Sequence, residues 1–231
     1  MREAAKAIIA RARADGQAIL TEHDGKALLA DYGVPVVDER LVADLAGARA
    51  AAQALGYPVA LKACSPALAH KTEAGLVALR LRDEAELDQA FRTMSGRVPR
   101  EVPGVGFLVQ KMVAGARELV IGMVRDAQFG PSIMFGLGGI FTEAMADVQF
   151  RLAPLTAFDA ADMIDGIRGR RILDAVRGLA PVDRDLLGRS LLALSTIATE
   201  IEAIRAIDVN PLIVGADGRP TAVDALVVLD S

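Results

Sequence analysis

Lys62 closes the apolar run YPVALKA and stands directly before the segment CSPALAHKTEAG. If the run is a strand, it holds the stem of the lysine and presents the ammonium as a compact point charge suited to a phosphate oxygen. The segment behind it carries Ser65, His70, Lys71, Thr72 and Gly75. Together these supply hydroxyls, a nucleophile, a cation and a backbone able to approach a phosphate closely. Neutral imidazole attacks phosphorus and can carry a covalent intermediate, and Lys71 would screen the charge of a phosphoryl group on its neighbour. Spacing alone leaves two readings open: a phosphate-handling loop, or a solvated lysine followed by an ordinary surface loop. His23, the other of the two histidines, lies between Glu22 and Asp24 in an expected first helical turn and reads as structural or exposed.

A second constellation lies near the C-terminus, in AIDVNPLIV and AVDALVVLD. If these runs pair about Asp217-Gly218, Asn210 falls opposite Asp224, with Asp208 two positions away on the same face. Three oxygen-bearing side chains then converge. Magnesium takes oxygen ligands, commonly one or two from protein, and completes its shell with phosphate oxygens and waters; Asn210 with Asp224 meets that need. Pro211 lacks an amide donor and marks a bulge or an edge. A one-residue slip would separate the three groups, and a cluster of turn residues is the competing reading. The FGLGG segment from Phe135 to Gly139 offers amides to a phosphate or serves as a tight connection. Neither GxGxxG nor a P-loop is present, nor are HExxH, a paired-cysteine zinc motif or GxSxG. Zinc hydrolysis and serine-hydrolase chemistry therefore lack support.

The chain that must position these groups has 231 residues, enough for one larger α/β domain or two packed subdomains. With 52% hydrophobic and 24% charged residues it is expected to fold into a compact core. Its 26 basic and 30 acidic residues are interspersed, giving a net charge of -4 and no basic stripe to follow a nucleic-acid backbone. No apolar run approaches the roughly 18 residues of a spanning helix, so neither nucleic acid nor membrane is expected as a partner. Cys64 is the single cysteine, which excludes an internal disulfide. Together with the lack of a secretory signal pattern at the N-terminus, this points to the cytoplasm.

The pattern predicts a first helix ending at Gly16 and a second from Thr21 to Gly33. Strands are expected over Val34 to Val37, Tyr57 to Ala63 and Gly75 to Leu81. Helices are expected over Ala46 to Leu55 and Glu84 to Met94, capped by Asp44 and Asp83. Two further runs, Phe107 to Met112 and Leu119 to Val124, read as strands. A mostly helical region runs from Ala157 to about Ile201, and strands Ile207 to Val214 and Thr221 to Leu229 end the chain.

Taken in order, LTEHDGKALLADYGVPV, YPVALKACSPALAHKTEAGLVAL, the long stretch from VQKMVAGARELVIG to FRLAPL, and AIDVNPLIV with AVDALVVLD resemble the beta subunit of ADP-forming acyl-CoA synthetases. The resemblance spans roughly residues 19 to 230 and extends to the beta subunit of succinyl-CoA synthetase. It implies an α/β chain with an ATP-grasp fold, two α/β subdomains enclosing a nucleotide cleft. The corresponding division is an N-terminal helix over 1–20, an N-terminal subdomain over 21–113 and a C-terminal subdomain over 114–231. By the same resemblance Lys62 binds phosphate, Gln110, Lys111 and Met112 form the hinge along the adenine, and Glu118 contacts the nucleotide. Asn210 and Asp224 hold Mg2+, and His70 matches the histidine that is phosphorylated. Gly138, Gly139 and Glu143 resemble further lining of the site.

The implied reaction is acyl-CoA + ADP + phosphate ⇌ acid + CoA + ATP, with CoA bound by a separate alpha subunit in a hetero-oligomer. This chain would carry the phosphoryl group on His70 and deliver it to ADP. A different ATP-grasp ligase making an acyl phosphate on this chain, and a non-catalytic nucleotide-sensing subunit, are the alternatives. The chain departs from the family's pattern at Leu76, Ala206 and Ala175, and a leucine in place of glycine at 76 restricts how closely the backbone approaches phosphate.

Overall fold

The computed structural model describes residues 1–230 except 69–73, 100, 101, 103, 140–146, 176 and 177. The chain divides into two compact units, a larger one of Met1–Leu20, Asp24–Val36 and Val113–Ser231 and a smaller one of Thr21–His23 and Val37–Met112. Among the described residues no helix is long and apolar enough to cross a membrane.

The smaller unit carries an antiparallel sheet in the order β1-β4-β2-β3, with β1 at Glu39–Val42, β2 at Val59–Cys64, β3 at Val77–Leu81 and β4 at Gly106–Lys111. Two helices, α3 (Leu45–Leu55) and α4 (Glu84–Arg97), begin where the sequence places their caps. The Asp44 carboxylate accepts from the Gly47 amide at 2.7 Å and Asp83 from the Glu86 amide at 2.9 Å, each satisfying an otherwise orphaned helix donor. Side chains alternate across β2. Val59, Leu61 and Ala63 enter a core with Phe107 and Val109 of β4, Ala48 and Ala52 of α3, and Leu87, Phe91 and Met94 of α4. Ala60, Lys62 and Cys64 take the opposite face.

The larger unit holds the second sheet, ordered β10-β8-β5-β6-β7 with β9 paired to β8. Its strands are β5 (Arg117–Asp126), β6 (Gly130–Leu137), β7 (Val148–Leu152), β8 (Ile204–Val214), β9 (Pro220–Ala222) and β10 (Leu226–Leu229). Helices α1 (Glu3–Ala14), α2 (Glu22–Asp31), α5 (Ala157–Gly166) and α6 (Arg184–Glu200) accompany them, with a short 3-10 turn at Arg170–Leu173. Leu119, Ile121 and Met123 of β5 alternate into the core, where Ile8, Leu28, Met163, Leu187 and Leu194 meet them. Thr156 and Asp159 form a reciprocal capping box at the start of α5. The Asp183 carboxylate caps α6 by accepting from the Leu186 amide at 2.8 Å.

Several expected boundaries change. Val34 to Val37 is not a strand; it contributes one isolated parallel bridge, Val36 to Ala222. The neighbouring strand is β1, an edge strand whose ERLV sequence shows no apolar alternation because only half of it is covered. The last expected strand divides into β9 and β10. Ala5, Ile8, Ile9 and Ala12 of α1 and Leu28, Leu29 and Tyr32 of α2 share the core of the C-terminal sheet. Only Thr21–His23 of this stretch groups with the smaller unit. Amphipathic periodicity shows that a helix has an apolar face; it does not identify the sheet that receives it.

Candidate functional site

In the smaller unit Lys62 lies within β2 rather than at its exposed end, aligned with Leu108 of β4 and Val77 of β3. Only 5% of the residue is exposed, and its Nζ donates to Glu22 Oε1 at 2.8 Å. Glu22 is itself buried, so this is an ion pair removed from water on both sides. Sequence reading did not single out Glu22, because an acidic residue in a helix's first turn has a sufficient explanation in the helix dipole.

Gln110 is also buried. It sits in a cross-strand row with Glu39 of β1 and Ala60 of β2, and its Nε2 donates to Glu39 Oε2 at 3.2 Å. The other oxygen of Glu39 lies 3.0 Å from His23 Nδ1, which gives His23 the structural role expected of it. Lys111, at the end of β4, is exposed and donates its amide to the Asp38 carbonyl at 2.9 Å. Met112 donates its amide to the Pro58 carbonyl at 3.3 Å and is the last residue of this unit.

His70, together with Lys71, Thr72 and Glu73, lies outside the described residues. Just beyond them Gly75 has φ +64°, the left-handed conformation that glycine adopts without strain. Leu76 sends its side chain into the apolar core, where it is 1% exposed. It therefore fills the unit's interior instead of projecting from the loop.

In the larger unit Glu118 is the second residue of β5, opposite Ile213 of β8. Its neighbour Arg117 is buried and donates to the carbonyls of Ile172, Asp174 and Ala180 at 3.3, 3.3 and 2.6 Å, tying the strand's entry to the 3-10 turn and the segment after it. The Gly138 amide donates to the Glu118 carbonyl at 2.8 Å. A side-chain carbon on Gly139 would fall 2.6 Å from Glu118 Oε2, and the backbone there has φ +62°. Glycine at 139 thus lets the carboxylate lie flat against the chain. Gly139→Ala is expected to displace Glu118 and, if Glu118 contacts the nucleotide as the resemblance implies, to raise the Kd for ADP about tenfold, the scale of one lost charge-assisted hydrogen bond; calorimetric titration of the folded variant measures it. Glu143 lies outside the described residues.

The C-terminal strands keep one register through their break. Leu212 faces Ala222 and Asp208 faces Leu226, a frame that aligns Asn210 with Asp224. Between them the Val223 amide donates to the Pro211 carbonyl at 3.3 Å. On the other side of β8 the register with β5 shifts between Leu119 and Ile121, so Asn210-Pro211 forms the bulge that the proline suggests; the strand is interior, not an edge.

Asp208 is accessible to water as a residue, yet crowding desolvates its carboxyl. That desolvation, and then the charge of Asp224, raise its pKa above the ordinary carboxylate value. Two carboxylates that repel each other beside an amide oxygen form a donor set a divalent cation would relieve, so these residues fit magnesium. Among the described residues no three His, Cys, Asp or Glu gather as a metal cluster, which a one- or two-ligand magnesium site does not require. Asp208 and Asn210 border a pocket of about 360 Å³ whose wall includes Val120, Gly122, Met134 and Phe150.

The raised Asp208 value has a consequence for stability. Between the unfolded and folded values the native state binds more protons, so stability falls as pH rises through that window. Asp208→Asn removes this loss. Without magnesium the variant should unfold at a higher temperature than the parent chain above that window, with the gap closing as pH falls toward 4; thermal unfolding across pH 4 to 8 measures it.

The family model described as an ATP-grasp domain matches residues 11–229. Over 228 residues the chain is 37% identical to the beta subunit of acetate–CoA ligase (ADP-forming) I of Pyrococcus furiosus, covering 97% of each. A solved structure of the dinucleotide-forming acetyl-coenzyme A synthetase 1 of Ca. Korarchaeum cryptofilum, in complex with coenzyme A, Ca-AMPCP and HgCl+, superimposes with a TM-score of 0.90 at 38% identity, covering 98% of this chain and 100% of that one. Another structure of that enzyme holds coenzyme A and Mg-AMPPCP, with its phosphohistidine segment pointing towards the nucleotide binding site. It matches at a TM-score of 0.85 and 36% identity over 98% of this chain and 100% of that one.

Proposed function

Because the chain belongs to the ATP-grasp family, and within it to the family of beta subunits of ADP-forming acetate–CoA ligases, we propose that it is the nucleotide-binding subunit of an ADP-forming acyl-CoA synthetase. The reaction is acyl-CoA + ADP + phosphate ⇌ acid + CoA + ATP, an acid–thiol ligation when run towards acyl-CoA. A CoA-binding alpha subunit forms the acyl phosphate and passes its phosphoryl group to a histidine. His70 of this chain receives the group and delivers it to ADP in the cytoplasm. The observation that carries the reading is the register shared by β9 and β10 against β8 on either side of residues 223–225, a frame that aligns Asn210 with Asp224 beside Asp208.

In this reading an oxygen of the ADP β-phosphate attacks phosphorus on phospho-His70, a P–O bond forms, the P–N bond breaks and the electron pair returns to the imidazole. Lys62 supplies a fixed positive charge to the phosphate chain. Gln110, Lys111 and Met112 line the adenine, and Glu118 contacts the nucleotide. Asn210 and Asp224 are the residues that would hold Mg2+, which supplies charge neutralisation at the phosphate oxygens. The protein contributes alignment and electrostatic stabilisation, and these two effects account for most of the catalysis of phosphoryl transfer.

The reading is tested by mixing the chain with a candidate alpha subunit, acetyl-CoA, ADP, phosphate and magnesium, and following ATP and free CoA. Formation of both only when the two subunits are together is the expected result. Acyl phosphate formed from ATP and an acid by this chain alone would identify a self-contained carboxylate ligase. Nucleotide binding without turnover in any mixture would identify a sensor.

A further inference from the structure

The carboxylate of Glu22 has 1% of its side-chain surface exposed, and its partner across the ion pair, Lys62, has 6%. Favouring the start of α2 does not require this, since an exposed carboxylate also stabilises a helix N-terminus. Stability does not require it either: two charges taken out of water contribute little net stabilisation compared with apolar residues of similar volume. What the pair does achieve is position. An ammonium on a four-carbon stem is a mobile charge with three donors, but here Leu108 and Val77 flank the stem and Glu22 Oε1 accepts one N–H at 2.8 Å. His23, Glu39 and Gln110 are joined by a chain of contacts as well.

We propose that Glu22 is a positioning residue for nucleotide phosphate: it holds the Lys62 ammonium at one place and balances its charge, so that the phosphate chain meets a cation already oriented. This rests on the assignment of Lys62 to nucleotide phosphate. The competing role is a purely structural lock between the first turn of α2 and the sheet of the smaller unit.

A double-mutant cycle on the full chain separates the two. Affinities for magnesium-ADP and for adenosine are measured by calorimetry in the parent, Glu22→Gln, Lys62→Met and the double variant. Glu22→Gln is expected to raise the Kd for ADP about ten- to a hundredfold, the range of a lost charge-assisted hydrogen bond, and to leave adenosine unchanged. In the Lys62→Met background the same change should shift the ADP Kd by less than about twofold. Equal losses in both backgrounds would overturn the proposal while leaving Lys62's role intact. An unchanged ADP Kd in Lys62→Met alone would overturn the underlying assignment and the proposal with it. If Glu22→Gln does not fold, Glu22→Asp keeps the charge and draws the ammonium back by one methylene. The folded Asp variant should weaken ADP and not adenosine, and an unchanged ADP Kd there would also overturn the proposal.

Discussion

Replacing Lys62 by methionine is expected to remove most of the affinity for the phosphates of ADP and to lower the stability of the smaller unit in the same step. The stability loss follows from burial. Lys62 is 5% exposed and its partner Glu22 4%, so deleting the ammonium takes this ion pair away from a desolvated carboxylate, a penalty of up to about 3–5 kcal/mol. In the proposed role the affinity loss follows from removing a desolvated point charge that meets the phosphate chain, which changes the Kd by about a hundredfold. The two effects are separable, because adding Glu22→Gln neutralises the stranded carboxylate. The double variant should recover much of the unfolding temperature and none of the ADP affinity. Thermal unfolding alongside calorimetric titration reads both, and an ADP Kd that recovers together with stability would contradict the role assigned to Lys62.

Asp224→Ala should have the second large effect, on magnesium rather than on the fold. The variant loses a carboxylate whose charge helps to raise the pKa of Asp208 and, among its contacts, the bond from the Ala225 amide to Asp224 Oδ1 at 2.8 Å. Like-charge relief offsets part of the loss of those contacts, so the unfolding temperature should move less than the magnesium requirement does. In the proposed site magnesium, by contrast, loses one of its two protein ligands. The concentration needed for half-maximal turnover of the assembled enzyme should rise about tenfold or more. A magnesium titration of initial rates measures this, and an unchanged midpoint would remove Asp224 from the metal site.

Local chemistry made much of this architecture legible. Asp44 and Asp83 announce their helices because an unpaired helix donor needs an oxygen acceptor, and Asp217-Gly218 sets the hairpin frame that aligns Asn210 with Asp224. Where the outcome depended on partners distant in the chain, sequence was silent. β6 was hidden by Gly130, Pro131 and Gly136, residues that weaken a strand signal, although its neighbours β5 and β7 pair along it. β7 is an edge strand with Phe150 and Leu152 exposed, so its alternation carries no inward apolar signature. The partner of Lys62 lies 40 residues away, and no spacing rule connects a helix's first turn to the middle of a strand. Leu76, conspicuous as a departure from a glycine, proves to be a core residue.

The proposed activity turns on the relay through His70, which leaves a chemical signature on the protein itself. The purified chain is incubated with magnesium and labelled ATP, with and without a candidate alpha subunit, and the protein-bound phosphate is tested for acid lability and base stability. Acid-labile, base-stable label is expected on the parent chain and none on His70→Ala. An unlabelled parent chain that still binds nucleotide and supports turnover in the assembled complex would contradict the relay.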